Sequence, residues 1–304
     1  MYERGIDLSN PYLSIVTPTY NRGHLLTACY QSLCRQIDKD FEWIIVDDGS
    51  SDNTSQVVQA FSYADFPVIY VKKENGGKHT ALNASHPYIR GKYVLILDSD
   101  DQLTQNAVSA VREAWGRYVQ NGEVGLVTFH RCTLEGQLFA TVSDFEVPVD
   151  MMRYPRKVYL GNDCCEVIRT DLFLKYPFPS FPGERFLSEG VLWNRVAETH
   201  KCVYINEAIY ICEYLADGLT KAGRSLRIQN PWGGMFAAEL GMAPYNSPKS
   251  RIKSGLLYCC YGFFAGLNHG GIQDGTEHKA LAALCMLPGY AMYRLWKYNY
   301  LKES

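Results

Sequence analysis

Over its first hundred residues the chain alternates short apolar runs of strand length with stretches of helical spacing. Leu13-Ser14-Ile15-Val16-Thr17 is the first run, and it leads through a turn into a helical pattern at Leu25, Leu26, Cys29 and Leu33. Phe41 to Val46 is a second run, Val68-Ile69-Tyr70-Val71 a third and Leu95-Ile96-Leu97 a fourth. Strands alternating with helices predict a mostly parallel sheet covered by helices, an α/β architecture. Pro18 lacks a backbone donor and is expected to end the first strand. A helix is expected to start near Leu103. Beyond it, Gly125 to Phe129 reads as a strand, Met151 to Lys157 as an irregular connection, and Cys202 to Tyr214 as alternating strands.

Polar groups gather where the apolar runs end. Asp98, Asp100 and Asp101 follow the fourth run directly, and side-chain alternation puts Asp98 and Asp100 on one side of the strand's carboxyl end. Open α/β sheets bind ligands there. Oxygen ligands without a Cys or His pattern favour Mg2+ or Mn2+, completed by phosphate and water. A solvated acidic turn capping the next helix is the alternative. Asp47-Asp48-Gly49-Ser50-Ser51-Asp52 repeats this arrangement after the second run. After the third run, Asn75-Gly76-Gly77-Lys78-His79 sets a glycine pair and a base at a helix start, which suits a phosphate or sugar-phosphate; a plain loop is again the alternative. No Gly-x-Gly-x-x-Gly follows the first strand and no Gly-x-x-x-x-Gly-Lys-Ser/Thr loop occurs. A bound nucleotide would therefore be held mainly by side chains and a metal.

Together these residues resemble the family 2 glycosyltransferases of GT-A fold, bacterial, inverting and of the cell-surface polysaccharide type. The resemblance covers about residues 12–215. Thr17-Pro18-Thr19-Tyr20-Asn21-Arg22 is similar to the family's opening motif, Val46 to Asp52 to its nucleoside-binding motif and Leu97-Asp98-Ser99-Asp100-Asp101 to its metal-binding DXD motif, in the expected order. It implies that Thr17, Pro18, Tyr20 and Arg22 lie around the nucleotide. It further implies that Asp48 accepts from the uracil ring, that Asp98 with Ser99 faces the ribose or sugar, and that Asp100 ligates Mn2+ or Mg2+. Gly77 and Lys78 join the nucleotide-sugar set. A carboxylate accepting from the ring N–H of uracil has no such partner in cytosine, so the donor expected is a UDP-sugar.

In the family, an acidic pair precedes a Leu-Trp helix. Setting Leu192-Trp193 on that helix puts Ser188 at the first acidic position and Glu189 at the second, which carries the general base. Ser-Glu departs from the usual Glu-Asp, yet a longer carboxylate still takes a proton from an acceptor hydroxyl within hydrogen-bond reach. Glu184 is the reserve candidate. The chemistry implied is one in-line displacement at the anomeric carbon with inversion.

Composition refines this picture. The 304 residues carry a net charge of −2, so no field recommends nucleic acid as a partner. Ten cysteines include the pairs Cys164-Cys165 and Cys259-Cys260 but no Cys-x-x-Cys, which reads as buried reduced thiols; no secretory signal opens the chain. The expected location is cytoplasmic, with the inner face of the cytoplasmic membrane as an option. The expected division is a GT-A catalytic domain over 1–225 (donor half 12–101, acceptor half 102–225) and a helical extension over 226–304. Within the extension, Gly255 to Leu267 and Ala280 to Trp296 are apolar but shorter than a bilayer span of about 20 residues. They read as core helices. The alternative is peripheral membrane contact, from Lys249, Arg251 and Lys253 ahead of the first run and Arg294, Lys297 and Lys302 among Tyr293, Trp296, Tyr298 and Tyr300.

His130, Arg131, Asp163, Cys164 and Glu166 are candidates to line an acceptor site, and Asp217 to Lys221 a flap over the donor. The acceptor expected is a saccharide or lipid-linked saccharide. Three rivals stay open. One is an aspartyl phosphatase, which would want Thr or Val where Gln102 stands; another is a nucleotidyltransferase, which would want a Gly-rich basic signature in place of Pro18 and Tyr20. The last is a catalytically inactive saccharide-binding domain.

Overall fold

The computed structural model describes residues 10–143, 145–154, 157–158, 163–212 and 219–301. Eleven strands lie among them: β1 Leu13–Thr19, β2 Phe41–Asp47, β3 Val68–Lys72, β4 Tyr93–Ile96, β5 Gln102–Leu103, β6 Val124–Cys132, β7 Ala140–Thr141, β8 Pro148–Val149, β9 Lys157–Val158, β10 Cys164–Arg169 and β11 Lys201–Ile211. The helices are α1 Gly23–Cys34, α2 Thr54–Gln59, α3 Lys78–Ser85, α4 Ala107–Tyr118, α5 Thr170–Lys175, α6 Gly190–Ala197, α7 Leu219–Gln229, α8 Pro231–Met242, α9 Pro248–Phe264, α10 His269–Asp274 and α11 Lys279–Tyr300. The chain divides into two compact units, one of residues 1–177 and 199–213, the other of residues 178–198 and 214–304.

The first unit is a mixed sheet between helices, with four parallel and four antiparallel strand pairings where a mostly parallel sheet was expected. Its strand order is β3-β2-β1-β4-β10-β6-β11-β5, with β8 added on β11; β7 and β9 pair separately. The amino-terminal half, β3-β2-β1-β4, is all parallel. Parallel strands are covered on both faces, and every residue of β1, β2 and β4 is accordingly buried. That includes Glu42, whose carboxylate accepts from Ser14 Oγ at 2.7 Å and from Arg90 Nε at 2.9 Å. A buried carboxylate needs such partners to offset its lost hydration.

β10 is the element the periodicity did not announce. It inserts antiparallel between β4 and β6, separating strands that are neighbours in the apolar pattern. Three local expectations are also corrected. Pro18 does not end β1: the strand runs to Thr19, with Pro18 paired in register with Val46. The ring is tolerated because β1 pairs with β4 only as far as Val16, so no ladder partner waits where the N–H is missing. Nor does a helix start at Leu103; Gln102–Leu103 is a short strand on β11, and α4 begins at Ala107. The single strand β11 replaces the several read over Cys202 to Tyr214.

The second unit is helical. α9 opens on Ser247, whose hydroxyl accepts from Ser250 N at 3.2 Å, with Pro248 in the first turn. α11 is one helix through Pro288 and Gly289, despite the break suggested by those residues. Gly289 is needed for close approach, since a Cβ there would lie 2.6 Å from Cys259 Cβ on α9. The ten cysteines form no disulfide; nine are buried and Cys34 is exposed. Burial pushes the Cys259 and Cys260 thiols up to about 12, which keeps them protonated and inert.

Candidate active site

Because β1 to β4 are parallel, their carboxyl ends share one edge of the sheet, and the loops leaving them carry the acids. Asp47 turns its carboxylate back on its own loop. Its Oδ1 accepts from Ser50 N at 2.7 Å and its Oδ2 from the Tyr70 hydroxyl at 2.5 Å. The loops after β1 and β2 are pinned together by Asn21, whose N–H donates to Ser50 Oγ at 2.8 Å and whose side-chain carbonyl accepts from Ser51 N at 2.8 Å. Asn21 adopts φ +52° to do so, a conformation Asn tolerates better than most residues.

Asp48 organises the third loop. Its buried carboxylate accepts from Lys73 Nζ at 2.6 Å and Gly76 N at 2.9 Å on Oδ1, and from Gly77 N at 2.7 Å and Asn75 Nδ2 at 3.1 Å on Oδ2. Gly77 sits at φ +92°, which a side chain would oppose, and it caps the start of α3. Lys78, the next residue, pairs with Asp98 at the end of β4. Arg22 pairs with Asp100 at 2.5 Å. Arg22, Asp48, Gly77, Lys78, Asp98 and Asp100 thus belong to one connected edge of the first unit.

The carboxylates here are unequal. Burial raises the Asp98 carboxyl, but the Lys78 ammonium, aided by Arg131 and Arg22, outweighs it and holds the group below its ordinary range. Asp101 goes the other way, pushed up to about 8 by burial and by the negative charge of Asp98. The Tyr210 hydroxyl joins the two, donating to Asp101 Oδ2 at 2.7 Å and accepting from Asp98 N at 3.0 Å. The Arg131 guanidinium stacks on the Tyr210 ring at 4.1 Å and donates to the Cys164 carbonyl at 2.8 Å.

Several predicted positions land elsewhere. Thr17 is fully buried, and its hydroxyl accepts from the Trp43 indole at 2.8 Å, a contact within the core. Pro18 and Ser99 are buried too, whereas Tyr20 is 47% exposed. His130 and Cys164 are buried partners across β6 and β10. Asp217 and Gly218 of the expected flap lie outside the described residues, as does Lys302. Lys73 and Tyr210 are site residues that the sequence reading does not name, and only the place of Lys73 just before the Asn75-Gly76-Gly77 segment offers a signal.

Glu189 lies in the second unit, half-buried at the start of α6, where its backbone carbonyl accepts from Leu192 N at 2.9 Å. Ser188 Oγ accepts from Gly190 N at 3.3 Å. Glu184, the reserve base, is engaged as a helix cap, accepting from Trp232 N at 2.7 Å and Gly233 N at 2.8 Å at the start of α8. Asn230 adds a second tie, accepting from Arg185 N at 2.8 Å and Phe186 N at 3.1 Å.

Among the described residues no cluster of three His, Cys, Asp or Glu forms a metal cage. Asp98 and Asp100 are both held by a cation of the protein, and two hard oxygen donors of this kind suit a divalent ion whose other positions are filled by phosphate and water.

The family model for glycosyl transferase family 2 matches residues 14–143, the segment that contains every loop of this edge. The chain carries a glycosyl transferase family 2 domain. It is 27% identical over 215 residues to glycosyltransferase GlyG of Streptococcus pneumoniae, covering 66% of this chain and 69% of GlyG. With GlyA of the same organism it shares 31% over 212 residues, 65% of this chain but only 30% of that protein's length. A shorter match, 36% over 109 residues, is to a GalNAc(5)-diNAcBac-PP-undecaprenol beta-1,3-glucosyltransferase of Campylobacter jejuni, 34% of each chain. In three dimensions the chain resembles S. aureus TarS 1-349 in complex with UDP, with a TM-score of 0.61 at 16% identity over 94% of this chain and 91% of that one. It also resembles the mannosyltransferase PcManGT from Pyrobaculum calidifontis in complex with GDP-Man and Mn2+, at a TM-score of 0.56 and 16% identity over 96% and 83%. The fold is therefore GT-A, followed by a helical carboxyl-terminal region.

Proposed function

We propose that this glycosyltransferase moves a sugar from a UDP-sugar to a hydroxyl of a saccharide or lipid-linked saccharide acceptor, with a divalent cation and with inversion. The observation that carries the donor site is the charge-paired edge: Arg22 on Asp100 and Lys78 on Asp98. Two cations and two carboxylates at the exits of parallel strands are the groups a metal–diphosphate pair would exchange with. Mn2+ or Mg2+ on Asp100, when bound, offsets charge developing on the leaving diphosphate. Arg22 and Lys78, released from the carboxylates, then meet phosphate oxygens. Asp48 takes the ring N–H of uracil in exchange for its Asn75 contact, the longest of its four at 3.1 Å. Tyr20, exposed on the loop after β1, offers a face to the base.

Glu189 is assigned as the base through its place before Leu192-Trp193. It removes the proton of the acceptor hydroxyl as that oxygen attacks the anomeric carbon. The Campylobacter glucosyltransferase, whose name carries an undecaprenol-linked saccharide, supports an acceptor of that class, and TarS and PcManGT bring UDP and GDP donors into comparison. We assign residues 1–225 to catalysis and 226–304 to the helical extension.

Calorimetric titration of UDP, GDP and CDP, with Mn2+ and then with chelator, tests the donor site. UDP should bind only with metal and more tightly than GDP or CDP by about tenfold, and Asp100→Asn should abolish that binding. Glu189→Gln should keep UDP affinity within about threefold while cutting UDP release from a UDP-sugar by at least about a hundredfold. Failure of every nucleoside diphosphate to bind in the presence of metal would remove the proposal, and preference for GDP would reassign the donor.

A further inference from the structure

The last helix is apolar on two opposite sides. α11 buries Ala282, Cys285, Met286, Gly289 and Trp296 in the helical core, at intervals that define its inward face. Leu284, Leu287, Ala291, Leu295 and Tyr298 repeat at the same three- and four-residue spacing on the far side. There Leu284 is 79% exposed, Leu287 77%, Leu295 57% and Tyr298 63%. The stripe runs about 21 Å along the helix. Ile252 of α9 is also exposed, and Cys285 Sγ on α11 donates to its carbonyl at 3.8 Å. A surface helix normally turns charge outward, and one apolar all round has a second apolar neighbour.

The surrounding charge says which neighbour. Neither α9 nor α11 contains a single Asp or Glu. Lys249 and Lys253 stand exposed near the start of α9, and Lys279, Arg294 and Lys297 stand exposed on α11. Arg294 and Lys297 lie along one flank of the stripe, where they donate to the Tyr290 and Tyr293 hydroxyls at 3.3 and 3.5 Å and form a rim of cations and phenols. Two copies of an acid-free face would repel each other, whereas an anionic headgroup layer complements the cations and an acyl boundary accepts the leucines. No helix among the described residues is long and apolar enough to cross a bilayer.

We propose that the outer face of α11, with the start of α9, docks on an anionic lipid surface, the helix lying in the plane of the interface with its leucines about 5–10 Å below the headgroups. Flotation of the full chain with vesicles of phosphatidylcholine alone, and of phosphatidylcholine with a third phosphatidylglycerol, tests it. The wild type should float with the anionic vesicles, less with the neutral ones, and less in high salt. Leu284→Ser/Leu287→Ser/Leu295→Ser should lower anionic partitioning by at least about tenfold, with an unchanged thermal melt because these side chains carry no core contact. Arg294→Gln/Lys297→Gln should reduce anionic binding to the level seen with neutral vesicles. A wild type that stays at the bottom with anionic vesicles overturns the proposal, as does a triple-serine variant that floats like the wild type. A wild-type dimer by light scattering that becomes monomeric in the triple variant, without flotation, would assign the face to a second copy instead.

Discussion

Asp48 shows how much one buried carboxylate can organise. Its four acceptor contacts tie β2 to the Asn75-Gly76-Gly77 loop, so Asp48→Asn replaces an acceptor-only group with one that presents N–H to another N–H. Urea unfolding of that variant should show a loss of about 2–3 kcal/mol, with UDP affinity lost alongside. Tyr210 is the second such residue. Tyr210→Phe leaves Asp101 without its donor and should cost about 1–2 kcal/mol by the same measurement. Asp48, Asp98 and Asp100 were legible because carboxylates that end an apolar run have no bland place in a core. Tyr210 was not: its hydroxyl meets Asp98 and Asp101 from a strand more than a hundred residues later, and nothing local marks it. Thr17 failed for the converse reason, since membership of a motif does not distinguish a hydroxyl facing Trp43 from one facing a ligand.

At the scale of elements, periodicity located β1, β2 and β4 because each is a largely apolar run, the pattern of strands covered on both faces, and β3 as a short run of strand formers that lies half-buried at the sheet's edge. β10 escaped because Cys-Cys-Glu-Val-Ile-Arg is short and mixed, and its place between β4 and β6 is decided by pairing partners distant in sequence. α11 is the instructive helix. Pro288 lies on its exposed side and does not end it, while the next residue, Gly289, is buried against α9, where its missing side chain lets the two helices approach. Gly289→Val would force atoms into the space of Cys259, and thermal or urea melting should show a loss of about 1–3 kcal/mol. An unchanged melt would mean the two helices separate at no cost.

For the whole molecule, histidines set the response to acid. Burial lowers His79, His86, His130 and His200 below the ordinary value near 6.5, with charges nearby as lesser influences at His79 and His200. The native state then keeps these rings neutral while the unfolded chain protonates them. At these rings the unfolded state binds more protons, so their contribution is complete above about pH 6.5 and is lost as the pH drops below it, while Asp101, pushed up to about 8, works the other way and contributes more as the pH falls through 8. Below about pH 6.5 four rings act against one carboxyl, and melting temperatures between about pH 6.5 and 5 should decline accordingly. His86→Leu, at a ring that lies edge-on to Phe173 at 5.1 Å and outside the site loops, should make that decline shallower. A profile equally steep in the variant would remove His86 from the cause.

Local order in the chain was enough to determine the α/β class, the strands that carry the site and the three carboxylates at their ends, because periodicity and charge placement act over a few residues. Tertiary structure alone decided that β10 divides the sheet, that Tyr210 bridges Asp98 and Asp101, that Thr17 faces inward, and that α11 presents leucines on the side away from its core. Each of those depends on a partner brought from far along the chain, and a side chain's role follows from which partner it meets.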